Sequence, residues 1–331
     1  MKKLAVIAAL LLSSSLSMAA DYNPRVIKFA ATSPKGTPPA IGMELFAKKV
    51  QERSDGKIKV RTFPNGVLGG DVQVLSSLQG GVVEMMTWNA GLMINHVTDF
   101  GILDFPFLYT DTAKVDAMLD GEVGKMLTDQ LPEKNLVGLA FWELGVRNLT
   151  NNARPVQSLE DIAGLKIRAQ QSPLFLDVWA ALGANPTPLP FPEVYAALEQ
   201  KAIDGQENPV TVINANKFHE VQKHLVLSNH QYNPQSVIIS KKFWDGLNAE
   251  QKKIISEAAI ESAKYQREQA RSQVASALDN MKKAGLQVTE LSPAELGKLR
   301  DKLRPVVAKY AVNAGQDTVK ELHDELAKVR K

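Results

Sequence analysis

From Asn248 onward the sequence holds no helix breaker for about 36 residues: Ala249 to Ala284 contains neither glycine nor proline and is rich in Ala, Glu, Gln and Lys. Asn248 is a good N-cap and Gly285 a good stop. At 1.5 Å per residue such a helix is roughly 50 Å long, more than one small domain is wide. It must bend or bridge two lobes. A short strand, Gln287 to Glu290, follows it, and Ser292-Pro293-Ala294-Glu295 reads as a capping box opening another helix.

The preceding sequence alternates β-branched runs with helical patterns. Val26 to Ala31 reads as a strand, and Thr37 caps a helix starting at Pro38-Pro39, with Ile41, Leu45, Phe46 and Val50 as its apolar stripe. Asp55-Gly56 turns the chain into a strand at Ile58 to Phe63. A loop with Asn65-Gly66 and Gly69-Gly70 precedes a helix opened by Asp71. Further strands are expected at Val82 to Trp88, Leu136 to Leu144, Leu165 to Arg168, Ala202 to Asp204 and Val237 to Ser240. This rhythm predicts an α/β chain whose parallel or mixed sheets are covered by helices. No repeat or low-complexity linker is visible, so two lobes would be joined by more than one crossing.

The first residues bear on compartment. Met1-Lys2-Lys3 is a short positive segment, Leu4 to Leu12 is uninterruptedly apolar, and Ser17-Met18-Ala19 fits the small-x-small cleavage rule. Residues 1–19 are therefore expected to be a secretory signal cleaved near Ala19. The apolar run is too short to span a bilayer, which needs roughly 20 residues, and no later segment is long and apolar enough. With no cysteine there is no lipid-tether site, disulfide or thiolate metal site, and a hydrophobic core must hold the fold. Such a free exported protein suits the Gram-negative periplasm. Loss of Lys2 and Lys3 takes the formal charge from +3 to +1 (3 − 2). Both signs are interspersed, which leaves no footprint for nucleic acid or an anionic membrane.

Catalytic signatures are missing: no G-x-S-x-G, H-E-x-x-H, Walker loop or G-x-G-x-x-G. The histidines (His96, His219, His224, His230 and His323) read as surface or locally hydrogen-bonded residues, since even His219 and His224 fall off one helical face. Glu160-Asp161 sits where a helix N-terminus favours negative charge. No cofactor or metal is expected.

One stretch stands apart. Between Gly164 and Pro209, Lys166-Ile167-Arg168 ends a strand and Ser172-Pro173 opens a helix running to Gly183. A short strand then ends near Thr187, Phe191-Pro192-Glu193 starts a further helix, and Ala202-Ile203-Asp204 leads into Gly205-Gln206-Glu207-Asn208-Pro209. Polar residues cluster beyond the carboxyl ends of successive strands, where open α/β sheets bind ligands. Arg168 could offer a two-pronged fork to a carboxylate, or pair at the surface with Glu160 or Asp161. Arg147 could supply a second cation and Asn208 an amide donor; each could equally be structural.

This block resembles the hallmark run of the extracytoplasmic receptors of tripartite ATP-independent periplasmic (TRAP) transporters, of the C4-dicarboxylate-receptor type. Gly56-Lys57-Ile58, Phe63-Pro64-Asn65, Leu68-Gly69, Leu103-Asp104-Phe105-Pro106-Phe107-Leu108, Phe218 to Lys223 and Ser228-Asn229-His230 extend the resemblance over the mature protein. It implies a two-lobed periplasmic-binding-protein clamshell of type II-like form, with a long helix spanning both lobes. Lobe one would be 21–145 plus 234–273, and lobe two 146–233 plus 274–331. It implies that Arg168 salt-bridges a substrate carboxylate, with Arg147 and Asn208 beside it and Phe191 near the ligand.

The implied partners are a small organic acid and the small and large TRAP membrane subunits, with the receptor itself a monomer and not an enzyme. Where sialic-acid receptors place an acid after the third strand, this protein has Trp88-Asn89, which speaks against sialic acid. Thr32, Ser33 and Lys35 in the first-strand loop, and Asp71, face the expected cleft. Asn89, Gln170, Gln171, Asn233 and Gln235 would suit a hydroxylated acid, because buried hydroxyls need partners. Trp88 could stack on a sugar face or fill the core. The expected ligand is a hexuronate such as glucuronate or galacturonate, or a related sugar acid; a C4-dicarboxylate or other organic acid is the alternative. A periplasmic hydrolase, or a receptor for an ATP-driven importer or sensor kinase, are the rival classes.

Overall fold

The computed structural model describes residues 23–109 and 111–328, so the expected signal peptide and its cleavage site lie outside the described residues. Nine strands form one sheet among them: β1 (Arg25–Ala30), β2 (Ile58–Phe63), β3 (Met85–Asn89), β4 (Leu136–Asn151), β5 (Lys166–Ala169), β6 (Asn185–Pro188), β7 (Gly205–Pro209), β8 (His224–Ser240) and β9 (Gln287–Glu290). Their order is β2-β1-β3-β8-β4-β7-β5-β6, with β9 pairing β8 off that path. The outer pairs β1/β2, β1/β3, β5/β6 and β5/β7 are parallel, and β3/β8, β8/β4 and β4/β7 are antiparallel. Two parallel βα units thus flank a central pair of long strands.

Helices α1 (Pro38–Arg53), α2 (Asp71–Gln79), α3 (Thr112–Asp120), α4 (Glu122–Thr128), α5 (Pro173–Ala181), α6 (Val194–Glu199) and α7 (Val210–Ala215) cover the sheet. They are followed by α8 (Lys241–Asp245), α9 (Ala249–Ser272), α10 (Val274–Lys283), α11 (Pro293–Ala314) and α12 (Gln316–Lys328). Along α1 the buried stripe is Met43, Phe46 and Val50, with Ile41 and Leu45 only half-buried. No helix among the described residues is long and apolar enough to cross a membrane.

The expected unbroken helix is two helices, divided at Gln273. No glycine or proline marks the break; packing imposes it. Ile254, Ile255, Ala258 and Ala259 of α9 pack with Phe29, Phe46 and Trp142, whereas Ala277 and Met281 of α10 pack with Ile213, Phe218 and Leu225. The start is as expected: Asn248 accepts from the Gln251 amide (2.8 Å) and Gln251 reaches back to the Asn248 amide (3.0 Å). The box at Ser292 is only half present. Ser292 accepts from the Glu295 amide, but the Glu295 carboxylate turns to the Leu159 amide and Lys298 instead.

Four strands depart from expectation, β3 beginning at Met85 rather than Val82. β4 does not stop at Leu144 but runs on to Asn151, because Gly145 (φ 125°) absorbs a register shift and lets the strand bulge and continue. Arg147 therefore lies within a strand rather than after one. β8 begins at His224, far upstream of Val237, and β7 lies at 205–209 rather than 202–204. Both contain buried polar residues that hide a strand from any hydrophobic pattern. Gly145 pairs with Asn233 in the β4/β8 register.

Candidate functional site

The carboxyl ends of β1, β3, β5 and β7 converge where β4 and β8 cross the middle of the sheet. A small cavity of about 30 Å³ lies there, lined by Thr32, Ser33, Asp71, Asn89, Leu144, Arg147, Arg168, Gln170, Phe191, Asn208, Val212 and Gln235. It is assembled from loops after β1, the start of α2, and side chains of all the central strands.

Arg168 follows Ile167 on β5 and is 3 % exposed. Its Nε and Nη2 both donate to the Leu189 carbonyl, at 3.0 and 2.7 Å, and its guanidinium carbon lies 5.9 Å from the Phe191 ring centre. It has no ion pair among the described residues; neither Glu160 nor Asp161 is its partner. Asp161 instead caps its own short helical turn through the amides of Gln157 and Ser158. Burial lowers the Arg168 pKa to about 10, with the charges of Glu207, Arg147 and Asp71 acting in both directions, so the group is a cation at neutral pH.

Arg147 is the opposite case. It is 1 % exposed, and its Nε and Nη2 hold both oxygens of Glu207, Nη2 also reaching the Glu207 carbonyl at 2.6 Å. Its Nη1 donates to Asn233 Oδ1 at 2.8 Å, and Phe175 covers its face at 5.3 Å. Burial would raise the Glu207 carboxyl, but Arg147 and His230 outweigh it and hold the acid below its usual range. The expected second free cation is therefore already neutralised, by an acid in the G-Q-E-N-P run whose role the sequence did not reveal.

The amides form a connected lining. Asn89 Oδ1 accepts from Gly91 N and Asn233 Nδ2 at 3.0 and 2.7 Å. Gln170, oriented to satisfy its neighbours, accepts from Asn89 Nδ2 at 2.8 Å and Arg147 Nη1 at 3.0 Å. Asn208 donates to Gln206 at 2.6 Å, and Gln235 accepts from Thr87 at 3.1 Å. Asp71 is half-buried at the edge of the cavity, its Oδ1 accepting from Thr32 Oγ1 at 3.2 Å. Burial pushes its carboxyl up to about 6, against the opposing pull of Thr32 and Arg168.

Four expected site residues, Trp88, Lys35, Gln171 and Asn233, are absent from the lining. Trp88 is 1 % exposed and packed in the largest apolar cluster, where it fills the core. Lys35 is exposed and does not line the cavity. Asn233 lies behind it, tying Arg147 to Asn89 and, at 3.3 Å, to Asp104. Leu144 and Val212 are apolar lining residues with no distinguishing sequence signal. His230, buried, meets Ser228 (2.8 Å) and Glu207 (3.3 Å). No group of three His, Asp or Glu among the described residues is arranged to hold a metal ion.

A larger open groove runs along the outer side of α9. Several of its charges are paired, Arg267 with Asp116 and Asp120, Arg271 with Asp116 and Glu143, and Lys49 with Glu261, while Lys264 and Glu268 also line it. The strand-end cavity, where Arg168 is buried without an ion pair among the described residues, is the candidate site.

Residues 29–313 match the family of bacterial extracellular solute-binding proteins, family 7. The protein is similar to the 2,3-diketo-L-gulonate-binding periplasmic protein YiaO of Escherichia coli, 37% identical over 85% of each sequence. It is similar to a TRAP periplasmic solute-binding protein of Ochrobactrum anthropi whose structure has a C-terminus bound in the ligand-binding pocket. That match is 54% identical over 93% of this protein and 96% of the other, with TM-score 0.82. It is also similar to the sugar acid binding protein DctPAm of Advenella mimigardefordensis in complex with galactonate, at 40% identity over 93% and 99% of the two proteins and TM-score 0.90.

Proposed function

We infer, for a protein that belongs to the bacterial extracellular solute-binding proteins of family 7, that it is the periplasmic receptor of a TRAP transporter for a hydroxylated organic acid, foremost a hexuronate or related sugar acid. One observation carries this reading: Arg168 is a buried guanidinium in a cavity, with no carboxylate paired to it among the described residues. An uncompensated buried charge costs several kcal/mol, a cost that an anionic ligand offsets. Arg147, held by Glu207, supplies no second free charge.

The amides of Asn89, Gln170, Asn208 and Gln235 and the hydroxyls of Thr32 and Ser33 suit a ligand carrying several hydroxyls. The similar proteins support this chemistry. Diketogulonate and galactonate are hydroxylated monocarboxylates, and a polypeptide's C-terminus ends in a carboxylate.

The cycle is binding and closure, without catalysis. Lobe one would comprise 21–145 plus 234–273 and lobe two 146–233 plus 274–331. The bulge at Gly145, its register partner Asn233 and the helix break at Gln273 support hinges at those three crossings. A carboxylate reaches Arg168, the lobes close over its hydroxyls, and exclusion of water strengthens each charge-assisted bond. The closed monomer then docks on the small and large membrane subunits that the family implies.

The test is a thermal-shift screen of the mature protein against uronates, aldonates and dicarboxylates, followed by calorimetry on Arg168→Ala. The largest shift is expected from a sugar acid, with binding lost in the variant. A largest shift from neutral sugars, or normal acid binding by Arg168→Ala, refutes the reading.

A further inference from the structure

Arg168 is not the only unpaired charge at the cavity. Asp71 lines it as well, with one oxygen held by Thr32 and no ion pair among the described residues. Among those residues it is also the only carboxylate in the lining. Besides the two arginines, the rest of the lining is neutral: amides, the hydroxyls of Thr32 and Ser33, and the apolar Leu144, Val212 and Phe191. The internal pairing of Arg147 with Glu207 removes the other cation of the lining, which could have received a second ligand carboxylate.

We propose that Asp71 is the specificity-determining residue of this site, accepting a hydrogen bond from a ligand hydroxyl and excluding acids that carry a second carboxylate. The proposal rests on the carboxylate-at-Arg168 reading above and deepens it to a ligand class: polyhydroxylated monocarboxylates. Thr32 fixes Oδ1 and leaves Oδ2 as an acceptor that only a donor can satisfy. A ligand hydroxyl is such a donor; an ionised carboxylate is not, and brings like charge against like charge. With a carboxyl pKa near 6, Asp71 is ionised at pH 8, where this discrimination is strongest. Placing the acid at the first residue of α2 ties its position to the backbone of that helix.

Galactonate and galactarate share one carbon skeleton and differ at the far end, a hydroxyl in one and a second carboxylate in the other. Calorimetry at pH 8 is expected to give wild-type protein a preference for galactonate of about tenfold or more, the order of a lost charge-assisted hydrogen bond plus repulsion. Asp71→Asn is expected to collapse that ratio, with galactarate gaining and galactonate weakening. Thr32→Val, which frees Oδ1 without removing the acid, is expected to narrow the ratio less, and melting of each unliganded variant reports folding.

Equal wild-type affinity for the two acids, or an Asp71→Asn ratio unchanged in a folded protein, overturns the proposal. Arg168→Ala separates the two readings. If it loses both acids while Asp71→Asn keeps the wild-type ratio, only the role of Asp71 fails. If it binds galactonate normally, the carboxylate clamp itself fails.

Discussion

Two arginines, on β4 and β5 with β7 between them, have opposite electrical fates. Arg147 is neutralised by Glu207, whereas Arg168 meets only the neutral carbonyl of Leu189. Arg168→Lys is expected to weaken acid binding by at least about tenfold in calorimetry, since an ammonium cannot hold Leu189 and a carboxylate with one planar fork. Glu207→Gln leaves Arg147 charged and buried without its counter-ion. The expected cost is about 3–5 kcal/mol of stability, read by denaturant unfolding.

Asp104 is a third buried charge, 1 % exposed, with Oδ1 receiving Asn233 and Oδ2 without a partner among the described residues. Burial pushes its carboxyl up to about 7, opposed by Arg147 and the amides of Gln231 and Asn233 and reinforced by Glu207. A carboxyl raised in the folded state favours folding most below its unfolded value of 3.8, and that contribution is lost as pH rises towards 7. Asp104→Asn is therefore expected to flatten the fall in melting temperature between about pH 4 and 7, raising it at pH 8 but not at pH 4.

At the scale of elements, the bulge in β4 is secured by a helix. Gln266 of α9 donates to the Glu143 carbonyl (2.6 Å) and accepts from the Glu143 amide (2.8 Å), supplying the partners that the bulge removes from β8. Gly42 of α1 packs against the same glutamine and Trp142, where a Cβ would lie 2.9 Å from each. Gln266→Leu is expected to cost about 1–3 kcal/mol, because two buried backbone groups lose their partners. A melting temperature equal to wild type would show that the bulge satisfies itself.

The same strands explain where sequence reading fell short. β2 and β9 were legible to the residue from β-branched runs bounded by turns. In β7 and the first part of β8 many of the buried residues are polar (Gln206, Glu207, Asn208, His230, Gln231 and Asn233) and interrupt the apolar ones (Leu225, Val226 and Tyr232), so no apolar alternation announces a strand. Several of them find polar partners from distant segments: Gln206 meets Thr150, Glu207 meets Arg147 and His230, and Asn233 meets Asn89.

At the scale of the whole molecule, the mouth of the cavity is a contact between two remote loops. A Cβ on Gly66 would lie 3.0 Å from Pro192 Cγ, and one on Gly70 3.2 Å from Pro190 Cβ. Gly70 has ordinary extended backbone (φ −72°, ψ 166°), so a side chain there introduces no local strain. Gly70→Val is expected to hold the loops apart, weakening ligand binding while leaving the unliganded melting temperature near that of wild type. Small-angle scattering would check it: the wild-type radius of gyration should fall on adding ligand, and that of the variant should not. Equal compaction in both proteins would remove the loops from the closing contact.

The sequence by itself determined the α/β class, the family, the cap at Asn248 and the location of Arg168 at a strand's carboxyl end. These depend on local periodicity, capping chemistry and a long contiguous motif. Tertiary structure alone decided which arginine keeps a free charge, that Trp88 serves the core, that Asn233 stands behind the cavity, and where the long helix divides. Each of those outcomes rests on partners remote in sequence or on competition between two cores. Pairing and burial are properties of what the fold brings together, and no local pattern around a residue records which distant group will reach it first.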